Sequence, residues 1–141
     1  MKSKIIIMAF FILLLLGCGE DDKESSQSTL PSYTDTRTNL IWYDGSSSVK
    51  QPWPIADNIC FNLDSGNFGW RLPTVDELHG AYNIWNVFDS YERDWYWSST
   101  YSSFNYIVGQ PQYKIVNLSS SEISATNQTN ARYYRCVRDM N

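Results

Sequence analysis

The stretch Leu72-Pro73-Thr74-Val75-Asp76-Glu77-Leu78 decides how the rest of the chain is read. Thr74 is an N-cap residue type, and Glu77 stands three positions later, so the two form a capping box in which each side chain satisfies the other's orphan backbone N–H. Val75, Leu78 and Tyr82, with Ala81 beside them, supply one apolar face. A short amphipathic helix therefore starts at this point. Arg71, just before it, is placed to pair with a carboxylate, and Glu77 belongs to the cap rather than to catalysis. His79 follows Leu78 on the same helix and reads as a partly exposed polar residue.

Working outward, Asn39-Leu40-Ile41-Trp42-Tyr43 followed by Asp44-Gly45 reads as a strand and a turn, and residues 46–48 extend the loop. Pro52 and Pro54 open a helical pattern in which Ile55, Ile59 and Leu63 recur at i+4, ended by Gly66. Asn67-Phe68-Gly69 is a turn. On the C-terminal side, Trp95-Tyr96-Trp97-Ser98-Ser99-Thr100 alternates with period two and predicts a strand. Tyr106-Ile107-Val108-Gly109 and Tyr113-Lys114-Ile115-Val116 predict two more. Residues 117–130 are mostly Ser, Thr and Asn and predict a loop. Residues 132–138 predict a closing strand, with Tyr134, Cys136 and Arg132 on one face and Tyr133, Arg135 and Val137 on the other. A strand, two helices and then several strands make an α+β pattern.

The chain has 141 residues and a formal charge of −4. It opens with Met1-Lys2-Ser3-Lys4 and an unbroken apolar run over residues 5–16. That run is shorter than the roughly 20 residues of a bilayer-spanning helix and matches the core of a secretory signal peptide. Leu15-Leu16-Gly17-Cys18 resembles the lipobox of bacterial lipoproteins. Residues 1–17 are then a removable signal, and Cys18 becomes the acylated anchor, diacylglycerol plus an N-acyl chain such as palmitate. Gly19 after Cys18 points to the outer membrane. Residues 18–32 form an acidic disordered tether. Its run Glu20-Asp21-Asp22 is a solvated linker or a surface-export signal, so surface exposure stays open.

Loss of Lys2 and Lys4 leaves nine basic side chains against fifteen acidic ones. That balance argues against nucleic-acid binding, which depends on phosphate neutralisation. Cys60 and Cys136 are the cysteines that remain. In an oxidising compartment they are expected to pair, the alternatives being two buried thiols or a redox pair.

Several of these segments together resemble the Lcl C-terminal-domain family, named after the C-terminal domain of a collagen-like bacterial adhesin. They are Asn39-Leu40-Ile41-Trp42, the helix carrying Ala56 and Cys60, Gly69-Trp70-Arg71-Leu72-Pro73-Thr74-Val75-Asp76-Glu77-Leu78, Tyr96-Trp97-Ser98-Ser99-Thr100 and Arg135-Cys136-Val137-Arg138. The resemblance spans about residues 35–138. This chain lacks the collagen-like repeat, and the segment between the second helix and the Tyr96 block is short. The resemblance implies a C-type-lectin-like fold: two helices packed on a twisted antiparallel sheet, with long loops. It also implies a disulfide from the first helix to the last strand, which Cys60 and Cys136 match. The adhesin's own domain binds sulfated polysaccharide.

Lectins of this fold usually hold Ca²⁺ through carboxylate-bearing triplets. Gln110-Pro111-Gln112 lacks the carboxylate, so no metal site and no cofactor are expected. A sulfated ligand wants a basic patch. Arg132, Arg135 and Arg138, on a strand, point to both faces, and ordinary pairing with acids is the favoured reading. Aromatic contact remains, since six Trp and ten Tyr are present. Trp42, Trp70 and Trp97 belong to the core. Trp85, Trp95, Tyr101 and Tyr106 are the ligand-binding candidates, among neighbours Tyr91 and Phe104. No catalytic residue is expected: Asp35, Asp76 and Glu92 form no paired-carboxylate motif, and residues 98–100 lack a nearby base. The expectation is a lipid-anchored, non-enzymatic, adhesin-like envelope domain over residues 33–141 that recognises a glycan or protein partner. A structural or assembly lipoprotein is the alternative. The oligomeric state is open.

Overall fold

The computed structural model describes residues 30–45, 49–67, 69–88 and 92–140. The signal at 1–17, Cys18, the tether up to residue 29, the loop at 46–48, Phe68 and Tyr91 lie outside the described residues.

Among the described residues the strands and α-helices run β1 (Ser32–Asp35), β2 (Leu40–Tyr43), α1 (Trp53–Phe61), α2 (Val75–Gly80), β3 (Trp95–Asn105), β4 (Gln110–Asn117), β5 (Ile123–Asn127) and β6 (Val137–Asp139). Two antiparallel three-stranded sheets result, in the orders β1-β2-β6 and β3-β4-β5. Strands β1 and β6 flank β2 in the first sheet, where Trp42 stands opposite both Tyr33 and Val137. An Arg71–Val137 bridge and a parallel Tyr96–Tyr133 bridge connect the rest of the fold to the C-terminal segment.

Two apolar clusters form the interior. One packs Leu40, Trp42, Leu78, Ala81, Ile84, Trp85, Phe88, Tyr96, Val116, Leu118 and Val137. The other packs Ala56, Cys60, Trp70, Leu72, Trp97, Ile115 and Cys136. The Cys60–Cys136 disulfide lies inside the second, across a Cα–Cα distance of 5.3 Å, and ties α1 to the residue before β6. The buried Arg135 seals the first cluster. Its guanidinium sits 4.2 Å over the Phe88 ring and 5.3 Å over Trp85, and Nη1 donates to the Tyr43 carbonyl at 2.9 Å. Burial pushes this guanidinium below its ordinary pKa.

Local chemistry explains α2. Thr74 Oγ1 accepts from the Glu77 N–H at 3.2 Å, and Glu77 Oε2 accepts from the Thr74 N–H at 2.8 Å. Arg71 then forks onto both Glu77 oxygens at 2.8 and 2.9 Å. Burial acts to raise the Glu77 carboxyl. The hydrogen bonds from Arg71 and Thr74, with the Arg71 charge, outweigh it and hold the group below its ordinary value.

Six local readings change. The inward face of α1 carries Ala56 and Cys60, whereas Ile55 is exposed. The helix ends at Phe61, and a 3-10 segment, Leu63–Gly66, takes over. Ala81 turns inward and Tyr82 is exposed, because both belong not to α2 but to the 3-10 segment Ala81–Val87, which continues from it with a different pitch. Residues 106–109 are a turn and not a strand. Asn105 Oδ1 accepts from the N–H groups of Ile107 and Val108, and Gly109 takes φ +66°, a conformation glycine adopts without Cβ strain. The Ser/Thr/Asn stretch contains strand β5, and regular pairing near the C-terminus is confined to β6, with isolated bridges before it.

Candidate functional site

The exposed face of the β3–β4 hairpin on the α1 side carries an aromatic surface. A bulge in β3 separates the Tyr101–Tyr113 pair from the Ser103–Gln112 pair. Cross-strand partners share a face, so the Tyr101 and Tyr113 rings meet edge to face at 6.0 Å and 87°. Trp53, from the first turn of α1, stacks on Tyr113 at 3.8 Å and 9°. Its indole N–H donates to the Ser98 carbonyl at 2.8 Å, and its backbone N–H donates to the Gln128 carbonyl, so the ring is fixed from two directions. Trp53 and Tyr113 are half-buried, while Tyr101 is 55% exposed.

Asp57 stands one helical turn after Trp53 and hence on the same side of α1. Burial raises its carboxyl above the ordinary aspartate value. Burial also raises the Tyr113 phenol, and the Asp57 charge raises it further, which places the carboxylate within electrostatic reach of the rings. Asp57 makes no ion pair with the described residues. A partly desolvated carboxylate beside fixed aromatic rings can accept hydrogen bonds from a hydroxylated ligand whose apolar face stacks on the rings.

The four sequence candidates separate. Tyr101 lies on this surface. Tyr106 is 88% exposed at the hairpin tip, edge to face with Phe104 at 5.0 Å. Trp95 is half-buried and packs against the second core cluster. Trp85 is buried rather than exposed: it is 3% exposed, because the 3-10 segment turns it inward against Trp42, Phe88 and Tyr96. An open cleft of about 330 Å³ lies above it, lined also by Tyr82, Asn83, Asn86, Arg93, Leu118 and Ser119. Trp53, Asp57 and Tyr113 escaped the sequence reading. Their signal was the i, i+4 spacing of Trp53 and Asp57, masked by the stronger-looking Ile55/Ile59 spacing.

Of the three C-terminal arginines, Arg135 is in the core, and Arg138 lies 5.4 Å over the Trp70 ring. Gln110 and Gln112 are engaged with Thr129 and Asn127. Among the described residues no group of three His, Cys, Asp or Glu side chains is placed to hold a metal ion.

The family model of the Lcl C-terminal domain matches residues 32–138. Among solved structures, botrocetin is similar, with a TM-score of 0.58 at 9% identity; the match covers 80% of this chain and 99% of that one. At that identity the likeness shows the fold, which is C-type-lectin-like. None of the curated proteins matches this chain.

Proposed function

The chain belongs to the Lcl C-terminal domain family, and on that premise we propose that it is a non-enzymatic binding domain, lipid-anchored through Cys18 in the bacterial outer membrane. Its ligand is a glycan, stacked on Tyr101 and the Trp53–Tyr113 pair and hydrogen-bonded to Asp57. The observation that carries this reading is the combination of an exposed Tyr101, a Trp53 ring fixed by its hydrogen bond to the Ser98 carbonyl with Tyr113 stacked on it, and a carboxylate without an ion-pair partner among the described residues. Fixed rings lose little freedom on binding, which is what a stacking platform needs.

The same carboxylate selects among sugars. A sulfate or carboxylate group on the ligand would meet the Asp57 charge, so the surface suits neutral saccharides better than sulfated ones. Here this chain departs from the sulfated ligand of the adhesin for which the family is named.

Assembly with an envelope protein is the second reading, favoured by the exposed Phe104, Tyr106, Ile107 and Val108 of the same hairpin. Affinity capture of the full mature chain from envelope extract, run beside a glycan array, separates the two. Saturable binding to neutral glycans with no stoichiometric protein supports the first reading. A stoichiometric protein partner with a blank array overturns it.

A further inference from the structure

The hairpin tip differs from the aromatic face below it. Tyr106 is 88%, Ile107 95% and Val108 50% exposed, at the end of two strands. No charged side chain occurs between Asp94 and Lys114. The apolar character is ordered along the hairpin. Ile107 and Val108 are outermost, Tyr106 and Phe104 come next, and Tyr101 follows. Aliphatic side chains ahead of amphipathic rings is the order that suits hydrocarbon followed by headgroups.

We propose that this tip inserts into the bilayer that carries the chain's own lipid. The inference rests on the anchoring part of the proposed function. From Cys18 to the first strand at Ser32, the tether can stretch to about 46 Å. A domain of this length is roughly 34 Å across, from a radius of gyration of about 13 Å. The tether therefore lets any face of the domain reach the membrane, and the exposed apolar tip is the face with least to lose by leaving water. Tyr101 stands about 13 Å behind the end of β3 at Asn105, where the turn carrying Tyr106 begins. Insertion of the tip by 5–10 Å, about the depth of interfacial apolar faces, leaves the aromatic face above the lipid, open to saccharides at the surface. Anchor and tip together fix the orientation of the domain at two points.

Photocrosslinking in intact cells tests this. The full chain carries p-benzoylphenylalanine in place of Ile107, in place of Tyr106 as a second variant, or in place of the exposed Ser120 in the β4–β5 connection. After illumination the adducts are identified by mass. Phospholipid adducts at 106 and 107, at least about tenfold above those at 120, are expected from interfacial burial. Adducts to another protein or to a second copy of the chain at 106 and 107, or the absence of any adduct there, overturn the inference. The mass of the Cys18 peptide from the same sample reports anchoring on its own. An acylated Cys18 with no lipid adduct defeats the inference alone. An unmodified Cys18 with a lipid adduct defeats the anchor alone.

Discussion

Replacing Cys60 and Cys136 together by alanine should lower the melting temperature by about 20 °C. The bridge joins residues 76 apart in sequence. On the chain-entropy account, closing such a loop removes about 15 cal/mol/K from the unfolded chain, or about 4.5 kcal/mol at 25 °C. The ordered domain of about 110 residues has an unfolding entropy near 230 cal/mol/K, from about 2.1 per residue, and the ratio of the two figures gives the shift. Both cysteines are buried, at 0% and 1% exposure, and the bridge joins the last turn of α1 to the residue before β6 inside the second cluster. The assay is a calorimetric melt of the mature chain with and without the double substitution. Alkylation of the wild type without reductant should find no free thiol at either position. A fall of less than about 5 °C would refute the loop-entropy argument and show that the two clusters hold α1 unaided.

Three further outcomes follow from the same geometry. Arg135→Ala empties a site beneath Phe88 and Trp85 and strands the Tyr43 carbonyl, which should cost about 3 kcal/mol by denaturant unfolding, whereas Arg135→Met keeps the volume and should cost about half as much. Thr74→Ala removes the cap acceptor and should cost about 1 kcal/mol, visible as a shift of the unfolding midpoint at constant slope. The hydrogen bond from Arg37 holds the Asp35 carboxyl low, and Arg71 does the same for Glu77 against the effect of burial. Both groups bind protons more readily when unfolded, so their stabilisation is complete above the ordinary carboxylate range and is lost as pH falls through their lower folded values. Melting temperature should therefore be flat from neutrality to about pH 5 and fall below about pH 4, and Glu77→Gln should shrink that fall.

Features fixed by neighbours in sequence were legible beforehand. The Thr74–Glu77 cap depends on a three-residue spacing, and it stands as expected. The Cys60–Cys136 disulfide and the α+β order followed from segment order and the family resemblance, although Cys136 lies one residue before the last strand and not on it. Features decided by partners far along the chain were not. The inward face of α1 is chosen by where Trp53 meets Ser98 and Tyr113, not by the Ile55/Ile59 repeat. Strand β5 pairs only with β4 at the end of its sheet, so its polar composition hid it. Residues 106–109 have strand-like composition, but the Asn105 side chain captures two of their N–H groups and bends them into a turn. Exposure of the site candidates was half readable: Tyr101 and Tyr106 are exposed, whereas Trp85 went inward because the 3-10 segment after α2 has a pitch that the apolar pattern does not encode.

The most direct measurement is a glycan-array comparison of the mature wild-type chain with Tyr101→Ala, Asp57→Asn and Tyr82→Ala. Tyr82 lines the separate cleft and serves as the control. The proposed platform predicts neutral-glycan binding that falls at least about tenfold in the Tyr101 and Asp57 variants and stays unchanged in the Tyr82 variant. Full binding by Tyr101→Ala, or loss in Tyr82→Ala alone, would contradict it.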